Sequence, residues 1–132
     1  MKGPRDDNAF ASFLGLRWTG PDELRLEIRP ELVNGTGRLL GPVVFSLVDY
    51  GMSACVWDAL NEGEVCATIN VGINFINSAA EGEVICVSSL DRRTRTAAAT
   101  RSELRHADGR LLATAVGSFA IMRARSEPSP PA

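Results

Sequence analysis

The sequence predicts an α+β domain in which one long helix faces an antiparallel sheet of about five strands. Two observations carry this. From Leu39 to Trp57 runs LLGPVVFSLVDYGMSACVW, nineteen residues with a single charge, the mark of a helix buried over most of its circumference. From Val65 onward the pattern changes to apolar–polar alternation in four successive segments, which is how half-exposed strands read. One strand, one helix and then four strands in a row do not fit the helix–strand alternation of a parallel sheet.

Taken in order, residues 1–8 are a polar tail, 9–122 the domain, and 123–132, ending RSEPSPPA, a Pro-rich loose tail. Ala9 to Leu16 is expected as a short helix or turn that lays Phe10, Phe13, Leu14 and Leu16 on the core. Leu24, Leu26 and Ile28 alternate with Arg25, Glu27 and Arg29 as a half-exposed strand, which Pro30 ends. Asn34-Gly35-Thr36-Gly37 is a turn. Pro42 then opens the helix, where its missing N–H is no loss, and Asn61-Glu62-Gly63 closes it near Leu60. In the next strand Val65, Ala67, Ile69, Val71, Ile73 and Phe75 form one apolar face, with Thr68, Asn70, Gly72 and Asn74 on the other. Strands at Glu83–Leu90, Thr96–Arg105 and Arg110–Met122 follow, the last two joined by an Asp108-Gly109 turn.

The single charge in the apolar helix is Asp49. An ionised carboxylate in apolar surroundings costs several kcal/mol unless it is paired or hydrogen-bonded, so its retention marks a site. The competing reading is a polar helix edge made of Ser46, Asp49, Tyr50 and Ser53 that faces solvent. A membrane span is disfavoured by the central Asp49, by Pro42 and Gly51, and by the lack of a second apolar run.

Composition narrows the function classes. The 132 residues are 45% hydrophobic and 23% charged with a net charge of −2, enough chain for a real core and no basic surface for nucleic acid. Cys55, Cys66 and Cys86 are odd in number, lie among apolar neighbours and lack CxxC spacing. They read as reduced core thiols in a cytoplasmic protein. No metal or cofactor is expected, because no ligand cluster of suitable spacing exists. The lone histidine, His106, falls in the Asp108-Gly109 hairpin and is expected at the surface. Gly35-x-Gly37-x-x-x-Gly41 lies between a strand and a helix, but four strands in succession do not continue as a dinucleotide-binding fold would. Phe45, Trp57 and Phe75 read as core residues, with pocket walls as the other reading.

Several short runs, in order and spacing, resemble the hotdog-fold acyl-CoA thioesterases, most closely their phenylacetate-pathway branch. They are Asn34-Gly35-Thr36-Gly37, Leu40-Gly41-Pro42, Ser46-Leu47-Val48-Asp49, Ile73-Asn74-Phe75-Ile76-Asn77-Ser78-Ala79 and Ala107-Asp108-Gly109-Arg110-Leu111. The resemblance covers residues 10 to 122 and implies a hotdog fold, a curved antiparallel sheet wrapped around a central helix. Family members show an asparagine, a His-Gly-Gly at the helix entrance, and an acidic residue nine positions beyond the histidine. Asn34, Gly41 and Asp49 match, whereas Leu40 replaces the histidine and Pro42 the second glycine.

By that resemblance the chain hydrolyses a small or medium acyl-CoA, with coenzyme A entering only as part of the substrate. Asp49 would be general base or nucleophile, the Gly41 amide would polarise the carbonyl, and Asn34 would orient water or thioester. The family pattern also puts a hydroxyl at Thr68. Asn34 is equally a good turn residue, and Thr68 an ordinary strand residue. Arg92, Arg93 and Arg95 occupy a loop where family members meet coenzyme A phosphates. The site would lie between subunits of a homo-oligomer, a dimer or dimer of dimers, with asparagine and glycine from one chain and the acid from the other. The alternative is an acyl-CoA binding or sensing protein of the same fold that does not cleave, a reading that the replaced histidine favours.

Overall fold

In a computed structural model, which describes residues 3–125, the chain forms one long helix packed against a six-stranded antiparallel sheet. The elements are α1 (Ala9–Leu14), β1 (Arg17–Gly20), β2 (Glu23–Glu27), a 3-10 turn (Pro30–Leu32), α2 (Gly41–Asp58), β3 (Glu64–Phe75), β4 (Glu83–Arg93), β5 (Ala97–His106) and β6 (Leu111–Arg123). The sheet order is β1-β2-β4-β5-β6-β3, every neighbouring pair antiparallel. The sixth strand is β1. Four residues give too little alternation to read as a strand, and Trp18 and Gly20 sit on either side of an irregularity in its pairing with β2. The expected tail from Ser126 onward lies outside the described residues.

The apolar content of α2 is used on one side. Leu47, Val48, Met52 and Val56 are fully buried against the inner face of the sheet, where Leu24, Leu26, Val84, Leu104 and Phe119 are also fully buried. In β5 the alternation is strict, with Ala98, Thr100, Ser102 and Leu104 inward and Arg101, Glu103 and Arg105 outward. The opposite side of α2 stays open, and Pro42 and Phe45 are exposed there.

Two expectations at the edges of the domain are corrected. Of the residues in α1 only Leu14 is buried, while Phe10 and Phe13 are more than half exposed. Six residues make less than two helical turns, so one face meets the core and the rest project outward. Residues 3–8 are not a free tail. Arg5 pairs with Asp58 at 2.7 Å and stacks on Trp18, and the Asn8 side chain caps α1 by accepting from Ala11 N–H.

Helix and sheet come closest at Gly51. A Cβ there would stand 2.3 Å from Ser88 Oγ and 3.4 Å from Ser88 Cβ. Ser88 Oγ is itself hydrogen-bonded to Ser102 Oγ at 2.9 Å, and Cys86 Sγ lies 3.1 Å from Ser102 Oγ. These buried hydroxyls satisfy one another, so Ser88 cannot swing aside without breaking the set. Gly51→Ala is therefore expected to destabilise the fold by roughly 1–3 kcal/mol, the usual cost of overpacking. Thermal denaturation should show the double variant Gly51→Ala/Ser88→Ala recovering part of that loss. A Gly51→Ala protein as stable as wild type would contradict the close contact.

Candidate active site

The open side of α2 and the inner face of β3 enclose a cleft of about 820 Å³. Gly41, Phe45, Ser46, Asp49 and Tyr50 line it from the helix, and Val71, Ile73 and Phe75 from the strand, with Phe10 of α1 at its border. Phe45 and Phe75, 43% and 61% exposed, are walls of this cleft rather than core. Trp57 is only partly buried and packs beside Gly3.

Asp49 is half-buried at the cleft wall, not sealed in the core. Burial raises its carboxyl above the usual carboxylate range, and the hydrogen bond from Thr68 opposes the rise. Thr68 Oγ1 donates to Asp49 Oδ1 at 2.8 Å. This contact reverses the expected facing of β3. Ile69 is an extra residue in the pairing with β6, since Thr68 lies opposite Phe119 and Asn70 opposite Ser118. Such a bulge flips the alternation, so Thr68 and Val71, on opposite faces by simple counting, both turn toward α2. The bulged Ile69 is left 63% exposed.

At the head of α2 the hydrogen-bond inventory leaves one donor. Pro42 has no N–H, while Val43 and Val44 both donate to the Leu40 carbonyl. Leu40 provides no side-chain cap. Among the described residues nothing accepts from the Gly41 N–H, and Gly41 lines the cleft at the positive end of the helix dipole. The space beside Gly41 is bounded by Phe75, whose ring a Cβ would meet at an ordinary 3.7 Å.

Asn34 does not line this cleft. Its Oδ1 accepts from Thr36 N–H at 3.0 Å, Thr36 Oγ1 at 2.7 Å and Arg38 N–H at 3.0 Å, so that oxygen is committed to the turn. It borders a second cavity of about 400 Å³ with Arg38, Asn77 and Ser78, and Phe75 lines both cavities.

The three arginines expected in a loop separate, with Arg92 and Arg93 at the end of β4 and Arg95 beyond it. Arg93 forms a forked pair with Glu64 at 2.8 and 2.9 Å and donates to the Ala59 carbonyl at the end of α2. The Arg93 guanidinium holds the Glu64 carboxyl down at about 2. With its donors so engaged, Arg93 ties β3 and β4 to the helix end. Arg92 and Arg95 are exposed and make no ion pair among the described residues. His106 is half-buried rather than superficial. Its Nε2 lies 2.8 Å from the Glu81 carbonyl oxygen and its Nδ1 accepts from Asp108 N–H, bonds that brace the hairpin away from the cleft. Cys55, Cys66 and Cys86 carry free thiols, and burial pushes the Cys55 thiol up to about 11. Among the described residues no group of three His, Cys, Asp or Glu side chains could hold a metal ion, and no helix is long and apolar enough to cross a membrane.

Residues 36–113 match the thioesterase superfamily, more than half of the chain. The chain belongs to the thioesterase superfamily. Solved structures agree on the fold. A conserved protein of Pseudomonas aeruginosa is 29% identical, over 88% of this chain and 95% of its own, with a TM-score of 0.77. A phenylacetic acid degradation-related protein from Ralstonia eutropha JMP134 is 26% identical, over 87% and 91%, with a TM-score of 0.77. A Bacillus halodurans protein with CoA is 22% identical, over 89% and 78%, with a TM-score of 0.84. No curated protein sequence matches the chain. The thioesterase-superfamily match spans both Gly41 and Asp49 and begins two residues after Asn34.

Two outcomes test the site. Because the folded-state pKa of Asp49 is raised, the folded form binds the proton more tightly than the unfolded one, and stability falls as pH rises through that window. Asp49→Asn should therefore raise Tm at neutral pH, and the gain over wild type should close as pH drops below the ordinary aspartate value of 3.8. A gain that widens in acid would reverse the assignment. Separately, Asn34→Ala should lower stability by about 1 kcal/mol, the scale of a lost capping bond. Asn34→Asp, which keeps the acceptor, should restore most of it in a urea titration.

Proposed function

We propose that the protein hydrolyses acyl-CoA thioesters to the free acid and coenzyme A, at a site shared by two copies of the chain. The observation that carries this reading is the unfilled Gly41 N–H in the same cleft as the half-buried, Thr68-held Asp49. A thioester carbonyl gains negative charge as it is attacked, and a donor already aimed at the helix N-terminus stabilises that charge without reorganisation. Asp49 either removes a proton from the attacking water or attacks the carbonyl carbon directly, and the thiolate of coenzyme A then leaves and is protonated; after direct attack, water opens the resulting mixed anhydride to release the acid and restore Asp49. The Thr68 bond occupies Oδ1 of Asp49, a residue that lines the cleft. A protein of the same fold holds CoA, which supports the choice of thiol.

Helix geometry supports the sharing. Gly41 and Asp49 of one chain are eight residues apart, about 12 Å along the axis, whereas a single carbonyl takes its oxyanion donor and its attacking group at about 3 Å each. A two-fold copy brings Gly41 of one chain toward the acid of the other. The surface is suited to it: β3 is a twelve-residue strand at the sheet edge, and Phe45, Phe75 and Ile76 are exposed beside it. Long apolar edges of this kind invite pairing.

Asp49→Asn should lower turnover of acyl-CoA about 10²- to 10⁴-fold, the range of general base catalysis, with little change in affinity. Gly41→Pro, which removes the N–H and adds a ring at a position that tolerates proline, should lower kcat by about 10²- to 10³-fold, while Gly41→Ala, which adds a side chain but keeps the N–H, retains most activity. Oligomers mixed from Gly41→Pro and Asp49→Asn chains should regain activity that neither has alone; no regain places both groups on one chain. Solvent ¹⁸O found in Asp49 after turnover establishes direct attack, since it enters only when water opens the mixed anhydride at the Asp49 carbonyl. A wild type that binds acyl-CoA and hydrolyses none would establish the non-cleaving binder instead.

A further inference from the structure

We infer that Arg38 is the anchor for the phosphate-bearing tail of the thioester substrate, in the cavity beyond Phe75. This deepens the hydrolase reading and rests on it for the position of the thioester. The two cavities meet at Phe75, and between them they carry one carboxylate, Asp49, and one guanidinium, Arg38. No acidic side chain lines the Arg38 cavity. Elsewhere, arginines such as Arg5, Arg25, Arg93 and Arg110 are neutralised by carboxylates. Arg38 makes no ion pair among the described residues, and the other cavity-lining arginines, Arg101 and Arg105, are both paired.

Its placement is held by the turn. Asn34 Oδ1 accepts from Arg38 N–H, and Asn34 N–H donates to the Arg38 carbonyl at 2.8 Å, so the backbone that presents the side chain is fixed on both sides. Arg38 is three residues ahead of Gly41, at most about 10 Å of chain. A substrate whose carbonyl meets the Gly41 N–H can therefore run its thiol arm across Phe75 and reach the guanidinium with a phosphate. A forked guanidinium in a cavity free of carboxylates suits a phosphate or diphosphate. On a chain of net charge −2 a polyanionic substrate needs such a local cation.

The test compares an acyl-CoA with the matching acyl-pantetheine, which has the same thioester and arm but no phosphate, in wild type, Arg38→Met and Arg38→Lys. Arg38→Met should lower kcat/KM for acyl-CoA about 10- to 100-fold, the scale of a charge-assisted hydrogen bond, chiefly through KM. It should leave acyl-pantetheine unchanged, and Arg38→Lys should recover part of the loss. Equal effects on both substrates, or none on acyl-CoA, overturn the assignment. Calorimetric titration with coenzyme A itself separates this from failure of the hydrolase reading. If wild type cleaves nothing but binds coenzyme A, and Arg38→Met weakens that binding at unchanged Tm, the anchor stands and hydrolysis falls. If wild type neither cleaves nor binds, both fall.

Discussion

The structure depends on a mismatch between α2 and its sheet. The helix is apolar around nearly its whole circumference, yet a sheet covers only one side of it. Leu47, Val48, Met52 and Val56 vanish into that contact, and Gly51 lets the backbone settle onto Ser88. The side left over bears Phe45, Ser46 and Asp49, which sets an apolar cleft around a carboxylate. Burial of one side and openness of the other have the same cause, and the raised proton affinity of Asp49 follows from both.

How much of this was legible depends on whether local pattern and tertiary geometry agreed. The long helix, the strand–helix–four-strand order and the turn at Asp108-Gly109 could be read because each is written in a window of ten to twenty residues. Asp49 stood out because a lone charge in an apolar run is conspicuous, and the structure lines one cleft with it and Gly41. The facing of β3 was not, since period-two counting assumes unbroken pairing and the extra residue Ile69 is visible only against β6. The short strand β1 and the outward Phe10 and Phe13 failed for a related reason: four or six residues carry too little periodicity to fix a face. The pairing of Arg93 with Glu64 was not legible, because the two are 29 positions apart.

The bulge also explains why a hydroxyl reaches the acid at all. Without it, Thr68 would share a face with Asn70 and Gly72 on one side, and the apolar wall of Val71, Ile73 and Phe75 would stand on the other. With it, the first half of β3 offers Thr68 to Asp49 and the second half lines the cleft. One inserted residue thus turns a strand of fixed alternation into two segments that serve one cavity, at the cost of an exposed isoleucine. That exposed side chain lies on an edge strand, where a second chain would cover it.

The helix entrance shows how two departures from the family pattern bear on the same step. Proline at 42 removes one amide and leucine at 40 brings no side-chain donor, so in the hydrolase proposed above the Gly41 N–H would meet the developing charge alone. Loss of one oxyanion donor typically costs about 2.7–4 kcal/mol of transition-state stabilisation. Asp49 acts in the opposite direction, because a carboxylate whose pKa is raised is the stronger base toward water. Thr68 limits that rise by donating to it. A weak oxyanion site favours substrates with good leaving groups, and a thiolate leaves more readily than an alkoxide or an amide.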